Sequence, residues 1–371
     1  MSTEVRLAVA GSGKTAEIVN KISAQTHGTT SLALTFTQQA QAEIILRTPG
    51  QLASEHETMG WFSFLVRHIV RPYLPEVFSD IIPRGLCFVE SAGGIPRNRG
   101  GWKYYLNDEH QPYSIRLALL AKKVITATNG APIKRLEKIY DKIYIDEFQD
   151  LVGNDLEILK AMMESDIDML IVGDVRQSVL STSQSDRLNQ SYRGVKLVEW
   201  FRNQSDAGLC RIVPSDVTTR FNQDIANFSD LIHDPALNLP CTISRQVEVT
   251  GHDGVFLVDD LHLLAYAANW PESPTVLWSR KSNRLLPDGE VQTFGKSKGI
   301  TRDRVIIVAT GPVVDLLKSH KPLAAKSACG FYVAATRARH SVAIVTKNAA
   351  KVYSLLHPDF QGKISLWEPE A

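Results

Sequence analysis

Residues Ala8–Thr15, Ala-Val-Ala-Gly-Ser-Gly-Lys-Thr, have the composition of a loop that holds phosphate. Small residues in succession let backbone N–H groups turn inward around phosphate oxygens, at the positive end of the helix that follows. Ala10, Gly11, Ser12 and Gly13 would form that cradle, Lys14 would reach the β- and γ-phosphates, and the Thr15 hydroxyl would bind Mg2+. Ala8 replaces the first glycine of the strict pattern. A glycine-rich turn before any helix has similar letters; the strand ahead and the helix behind favour the nucleotide. A second group follows in Lys142–Asp150, KIYIDEFQD, an apolar strand ending in an acidic pair. Carboxylates at the C-terminal end of a strand in such a sheet sit beside the phosphates. Asp146 would then hold Mg2+, and Glu147 would orient and deprotonate the attacking water. Without a phosphate loop upstream, the same pair would read as a solvated acidic turn.

The elements that must position these groups are short. Candidate strands are Val5–Ala10, Ser31–Thr35, Lys142–Asp146, Asp168–Val172, Val305–Ala309 and Val342–Thr346. Helical patterns occupy Lys14–Ala24, Gln38–Leu46 and Leu156–Glu164. Strands alternating with helices predict α/β architecture with largely parallel sheets. From about Pro83 to Pro112 glycine, proline and arginine replace any clean period, which reads as an irregular insertion. A second soft zone runs from about His233 to Asp253, and the strand and helix signals are weakest near Gln204–Pro214, where we place a lobe boundary.

Composition sets the outer limits. The chain has 371 residues, enough for two domains, with 44% hydrophobic and 22% charged residues, an ordinary globular mixture. Lys and Arg number 41 against 40 Asp and Glu, a net charge of +1, so bulk charge does not select a partner. Cys87, Cys210, Cys241 and Cys329 are far apart and show no zinc or disulfide spacing, which suits a reducing compartment. The opening segment has no signal-peptide profile, and no apolar run approaches a membrane span. The expectation is a cytoplasmic protein with no membrane partner.

Together these motifs resemble superfamily 1A helicases of the UvrD/Rep/PcrA type. The family's Walker A motif often begins with Ala, and its D-E-x-Q-D signature is matched by Asp146, Glu147, Gln149 and Asp150. LTFTQQA at Leu34–Ala40 resembles motif Ia, and TMGWFSF at Thr58–Phe64 motif Ib. GDVRQS at Gly173–Ser178 resembles motif III, and TRFNQDI at Thr219–Ile225 motif IV. TFGKSKG at Thr293–Gly299 resembles motif V, and YVAATRAR at Tyr332–Arg339 motif VI. The resemblance implies two RecA-like P-loop NTPase lobes with parallel sheets, spanning residues 1–205 and 206–371. The first would carry a small irregular insertion at about 66–140, and the accessory 1B and 2B domains would be reduced or absent. It further implies ATP between the lobes, Gln149 among the nucleotide contacts, Gln177 sensing the γ-phosphate, and Arg220 and Arg337 supplying positive charge as the cleft closes. Single-stranded DNA would meet Thr35, Phe36, Thr37 and Ser63 on the first lobe and Thr293, Lys296 and Lys298 on the second, with Phe36 stacking a base.

The chain also departs from the pattern. Only a few residues precede the phosphate loop, where the family carries a glutamine motif that reads adenine. SVLSTSQSD follows Gln177, with Leu180 in a region where the family places aromatics and no aromatic before Tyr192. Gly295 stands for the usual His of motif V and Thr301 for the usual Glu. Phosphate chemistry is untouched by these changes; strand separation and sugar recognition are affected. RLEKIYDKIYIDEFQDLVGNDLEILK, with WFSFLVR upstream, is similar to compact UvrD-like proteins paired with OLD-type nucleases in Gabija-type phage defence. Two functions are therefore expected. One is an ATP-dependent translocase or helicase on single-stranded or tailed DNA, with the 3′-to-5′ polarity the family implies. The other is a DNA-sensing regulatory ATPase that switches a partner nuclease of the OLD type and unwinds little itself.

Overall fold

Short apolar runs become the strands of two separate parallel sheets in the computed structural model. It describes residues 3–52, 54–89, 93–98, 101–183, 186–277, 289–295 and 297–369. The chain separates into two units. Met1–Leu7, Lys14–Gly173 and Leu180–Val213 form the first; Ala8–Gly13, Asp174–Val179 and Pro214–Ala371 form the second.

The first unit is built on β1 (Thr3–Ala8), β2 (Ser31–Thr35), β3 (His56–Gly60), β4 (Lys142–Ile145), β5 (Asp168–Gly173) and β6 (Arg211–Ser215), in the order β3-β2-β4-β5-β1-β6. β2 pairs in parallel with β3 and β4, and β5 with β4 and β1. All five residues of β2 are buried, as expected of a strand covered on both faces. The helix Lys14–Ser23 turns Ile18, Val19 and Ile22 onto Ala33, Tyr144, Leu170 and Val172. Burying each such aliphatic side chain contributes about 1.5–3 kcal/mol, which fixes the start of this helix against the sheet.

The second unit holds β9 (Gly254–Asp259), β10 (Thr275–Leu277), β11 (Val291–Thr293), β12 (Arg302–Val308), β13 (Ala338–Thr346) and β14 (Ser365–Trp367), in the order β11-β10-β12-β13-β9-β14. Every neighbouring pair in this sheet is parallel. A small separate pair joins β7 (Val217–Thr218) to β8 (Ile243–Ser244). The helix Ala325–Ala335 is buried from Ala328 onward, and its Phe331 meets Phe228 edge-on with ring centroids 5.9 Å apart. Both units are α/β, each built on a six-stranded sheet.

Several boundaries differ from expectation. β1 ends at Ala8, and Val9 and Ala10 already belong to the turn. β12 begins earlier than Val305, at Arg302, through a register shift between Arg302 and Arg304. Among the described residues, Pro83–Pro112 carries a short turn at Trp102–Tyr104 and the isolated bridges Cys87–Tyr113 and Leu106–Pro112, and helices follow at Leu117–Ala127 and Ala131–Leu136. Cys87, Cys210, Cys241 and Cys329 are free thiols. Among the described residues no helix is long and apolar enough to cross a membrane.

Candidate active site

In the first unit, the end of β4 meets the start of the helix Lys14–Ser23. The Thr15 hydroxyl donates to Asp146 Oδ2 at 2.9 Å, which pairs the two expected Mg2+ ligands. Asp146 is 1% exposed. Burial first, then the neighbouring Glu147 charge, pushes its carboxyl well above the usual range, and Lys14 pulls the other way. A hard divalent cation matches this donor set of carboxylate and hydroxyl oxygens and would relieve the same electrostatic cost.

Glu147 has φ +56° and ψ +41°, left-handed backbone that a non-glycine residue rarely adopts. Strain of this kind costs on the order of 1–3 kcal/mol and gathers where a side chain must be aimed. Its N–H donates to Asp146 Oδ1 at 2.9 Å, and its Oε2 accepts from Gln149 Nε2. Gln149 lies in turn against Gly173, where a Cβ would come within 2.4 Å of Gln149 Oε1. Gly173, the first residue of GDVRQS, is therefore required by the carboxylate cluster after β4.

The second unit gathers the phosphate-loop backbone. The Ala10 N–H donates to the Tyr332 hydroxyl at 3.3 Å. The Gly11 carbonyl accepts from the Thr219 N–H at 3.1 Å and from its hydroxyl at 3.3 Å. Gly11 has φ +74°, and a Cβ there would stand 2.5 Å from both Arg220 Cβ and Thr218 Oγ1. Only glycine fits. Gly13 is also left-handed, at φ +81°, and Ser12 Oγ is buried with no hydrogen-bond partner. An orphaned hydroxyl between two left-handed glycines is a feature an anionic ligand would satisfy.

Arg220 Nη1 donates to the Thr336 carbonyl at 3.3 Å, which brings it beside Arg337. Arg337 is 2% exposed; its Nε donates to Val333 O at 3.0 Å and its Nη2 to Gln177 Oε1 at 3.3 Å. Gln177 Nε2 donates to Asp174 Oδ2 at 2.8 Å, so this glutamine stands between a carboxylate and a guanidinium. The structure thus joins Gln177, Arg220 and Arg337 to Ala10–Gly13 within one unit.

Two participants were not singled out in the sequence, although both stand inside quoted motifs. Arg176 is buried and donates to Asp230 Oδ1 at 3.0 Å and Thr242 Oγ1 at 3.1 Å. Its guanidinium carbon lies 5.7 Å from the Tyr332 ring centroid. Tyr332 is fully buried, and desolvation, followed by the Asp174 charge, raises its phenol far above the ordinary value. A basic or phenolic side chain at a buried motif position is the signal that could have found them.

The residues expected to meet DNA are placed unevenly. Thr35 is buried, with its hydroxyl turned to the Thr37 carbonyl at 3.4 Å. Phe36 is half-buried, its ring centroid 6.0 Å from that of Trp61, so the Ia-like and Ib-like segments are neighbours. Thr37 caps the helix Gln38–Arg47 by accepting from the Ala40 N–H at 3.1 Å. Ser63 is exposed on the short helix Trp61–Phe64. Thr293 ends β11 and is half-buried, as is Lys298; Lys296 lies outside the described residues.

A phosphate loop after β1 and an acidic pair after β4, in a parallel α/β sheet, define a P-loop NTPase-type domain. In agreement, a family model described as an AAA domain matches residues 3–183. No curated protein sequence matches the chain. Among solved structures, a complex of arterivirus nonstructural protein 10, a helicase, with DNA is similar at 13% identity and a TM-score of 0.44. The likeness covers 95% of this chain and 63% of that one, so the present chain spans less than two thirds of that helicase's length.

Proposed function

We propose that the chain is an ATP-driven translocase or helicase of the UvrD-like superfamily 1 type, acting on single-stranded DNA. The contact between the phosphate-loop residue Gly11 and Arg220, at a spacing that excludes even a Cβ, carries the reading. A loop of this composition binds a triphosphate, and Arg220, packed against it through its Cβ, would turn its guanidinium from the Thr336 carbonyl to the phosphoryl oxygens. Lys14 binds the β- and γ-phosphates. Thr15 and Asp146 hold Mg2+, which when bound neutralises phosphoryl charge. Glu147 takes the proton of the attacking water at its carboxylate, oriented by Gln149. Gln177, held between Asp174 and Arg337, reports the state of the γ-phosphate to the helix Ala325–Ala335. Phe36 and Thr37 are the first unit's contacts to the strand, with Ser63 nearby; Thr293, Lys296 and Lys298 are the second's.

The test is ATP hydrolysis measured in parallel with no nucleic acid, single-stranded DNA, duplex DNA and RNA. Single-stranded DNA is expected to stimulate turnover most, and Lys14→Ala or Glu147→Gln to lower stimulated turnover at least ~100-fold. Near-normal turnover in either variant removes the assigned roles.

A second reading is a regulatory ATPase that switches a partner nuclease. Leu180 favours it: this side chain is 45% exposed where the family's base-stacking aromatics follow motif III. Strand displacement on a 3′-tailed duplex separates the two. Displacement by the chain alone supports the motor; ATP turnover without displacement supports the regulator.

A further inference from the structure

The second unit contains a side-chain cluster that takes no part in the phosphate chemistry. His320 follows the helix Gly311–Ser319, and His357 and Asp359 lie between the helix Ala349–Ser354 and β14. One ligand-capable atom from each lies within 4.8 Å of the other two.

Hydrogen-bond accounting fixes what those atoms carry. His320 Nε2 faces the Leu231 carbonyl oxygen at 3.2 Å. A carbonyl only accepts, so Nε2 bears the hydrogen, and in the neutral ring Nδ1 bears a lone pair. That lone pair faces Asp359 Oδ2 at 2.7 Å, and an ionised carboxylate also only accepts. His357 repeats the pattern: its Nδ1 accepts from the Asp359 N–H at 3.4 Å and lies 3.2 Å from the same Oδ2. Three acceptor atoms converge, a set that a ring proton or a shared cation must close; a cation would take the His357 Nδ1 lone pair from its long bond with the Asp359 N–H.

Independent evidence comes from the space beside them. His320 and His357 line a cavity of about 220 Å³ together with His233, Asp234 and Leu316. His233 is 5% exposed, and its Nε2 has no hydrogen-bond partner. Burial, with the Arg176 charge second, holds its pKa at about 3, so this third imidazole is neutral. A buried, unpartnered imidazole in the wall of the same cavity points to a ligand there rather than to a dry ion pair.

We propose that His320 Nδ1, His357 Nδ1 and Asp359 Oδ2 form a site for a divalent transition metal of the zinc class, with the adjoining cavity admitting the water or small anion that completes coordination. Two imidazoles and one carboxylate suit Zn2+, Co2+ or Ni2+ and are a poor set for Mg2+, which takes oxygen ligands. The Leu231 carbonyl acts as the outer partner that fixes the tautomer and orientation of His320. Bound metal would staple three stretches that are distant in sequence: residues around Leu231, the end of the helix Gly311–Ser319, and the segment entering the edge strand β14.

Co2+ added to the full chain, with a non-thiol reductant present, provides the test. We expect a visible d–d absorption typical of tetrahedral coordination that saturates at one equivalent and is displaced by Zn2+. Asp359→Asn and His357→Ala, each checked for native circular dichroism, should lower Co2+ affinity at least about tenfold. Asp359 is half exposed, which makes the conservative variant the safer of the two for folding. The proposal is overturned if the wild type shows no saturable band, or if both folded variants bind as the wild type does. It also fails if the imidazole signals of His320 titrate as a protonated ring paired with Asp359 and do not respond to Zn2+.

Discussion

Gly11 is held by two constraints that act together, since its φ of +74° is unfavourable for any L side chain and the space for a Cβ is taken by Arg220 and Thr218. Gly11→Ala is therefore expected to cost about 1–3 kcal/mol of stability. It should also reduce ATP turnover by on the order of 100-fold, because a displaced loop misplaces the phosphates. Urea unfolding together with steady-state ATPase measures both, and an alanine variant with ordinary turnover would refute the assigned contact. Asp155 is a different kind of constrained residue. It accepts from Trp61 Nε1 at 2.6 Å and from the Thr182 hydroxyl, yet burial pushes its pKa from the usual 3.8 up to about 6. Between those values the folded chain binds more protons than the unfolded chain, so this residue's contribution is complete below the lower value. The contribution is lost as pH rises through the upper one. Comparing Asp155→Asn with wild type should show the wild type losing on the order of 2 kcal/mol relative to the variant between about pH 4 and about pH 8. A constant difference across that range would show that Asp155 ionises at its ordinary value.

Where strands end, elements decide what a side chain can reach. β2 delivers Thr35 into the interior and Phe36 to a half-buried position against Trp61, and Thr37 then starts the helix Gln38–Arg47. Phe36→Ala is expected to weaken single-strand binding by about 1–3 kcal/mol, read by fluorescence anisotropy, and to lower unstimulated hydrolysis much less. Equal losses would mark the ring as core packing. The same strand shows what was legible in advance. Ser31–Thr35 is apolar enough to be read correctly, as are Lys142–Ile145 and the helix after the phosphate loop, because buried parallel strands are near-continuous Val, Ile and Leu runs. β3 reads HETMG, with no apolar pattern, and is a strand only because its backbone pairs with β2. The edge strands β11 and β14 have three residues each, too short to show a period. At the site, GSGKT and DEFQD announce themselves through residue types that phosphate chemistry demands. The partner of Ala10 does not, since Tyr332 acts through a distant folding contact that no local spacing encodes.

Taken as a whole molecule, the chain does not divide by a single cut. Ala8–Gly13 and Asp174–Val179 belong with residues from Pro214 onward, although the sequence places them far earlier. Ala10 is wholly buried in a cluster with Phe221, Ile225, Tyr332 and Ala335. A fragment of residues 1–213 thus leaves two segments without their packing and exposes apolar surface. Such a fragment is expected to bind the dye ANS and to hold ATP at least about tenfold more weakly than the full chain, a loss of roughly 1.4 kcal/mol or more. Full-chain affinity in the fragment, by calorimetry, would show that those segments need nothing beyond residue 213. The phenol of Tyr332 has its own consequence. It is sealed from water and takes the amide hydrogen of Ala10. If the loop relaxes or tightens around a ligand, no solvent can replace that bond, and stranding it costs about 1–3 kcal/mol. Loop and helix therefore keep step, and under the proposed function occupancy of the loop would be felt in the helix Ala325–Ala335 as a demand on one hydroxyl.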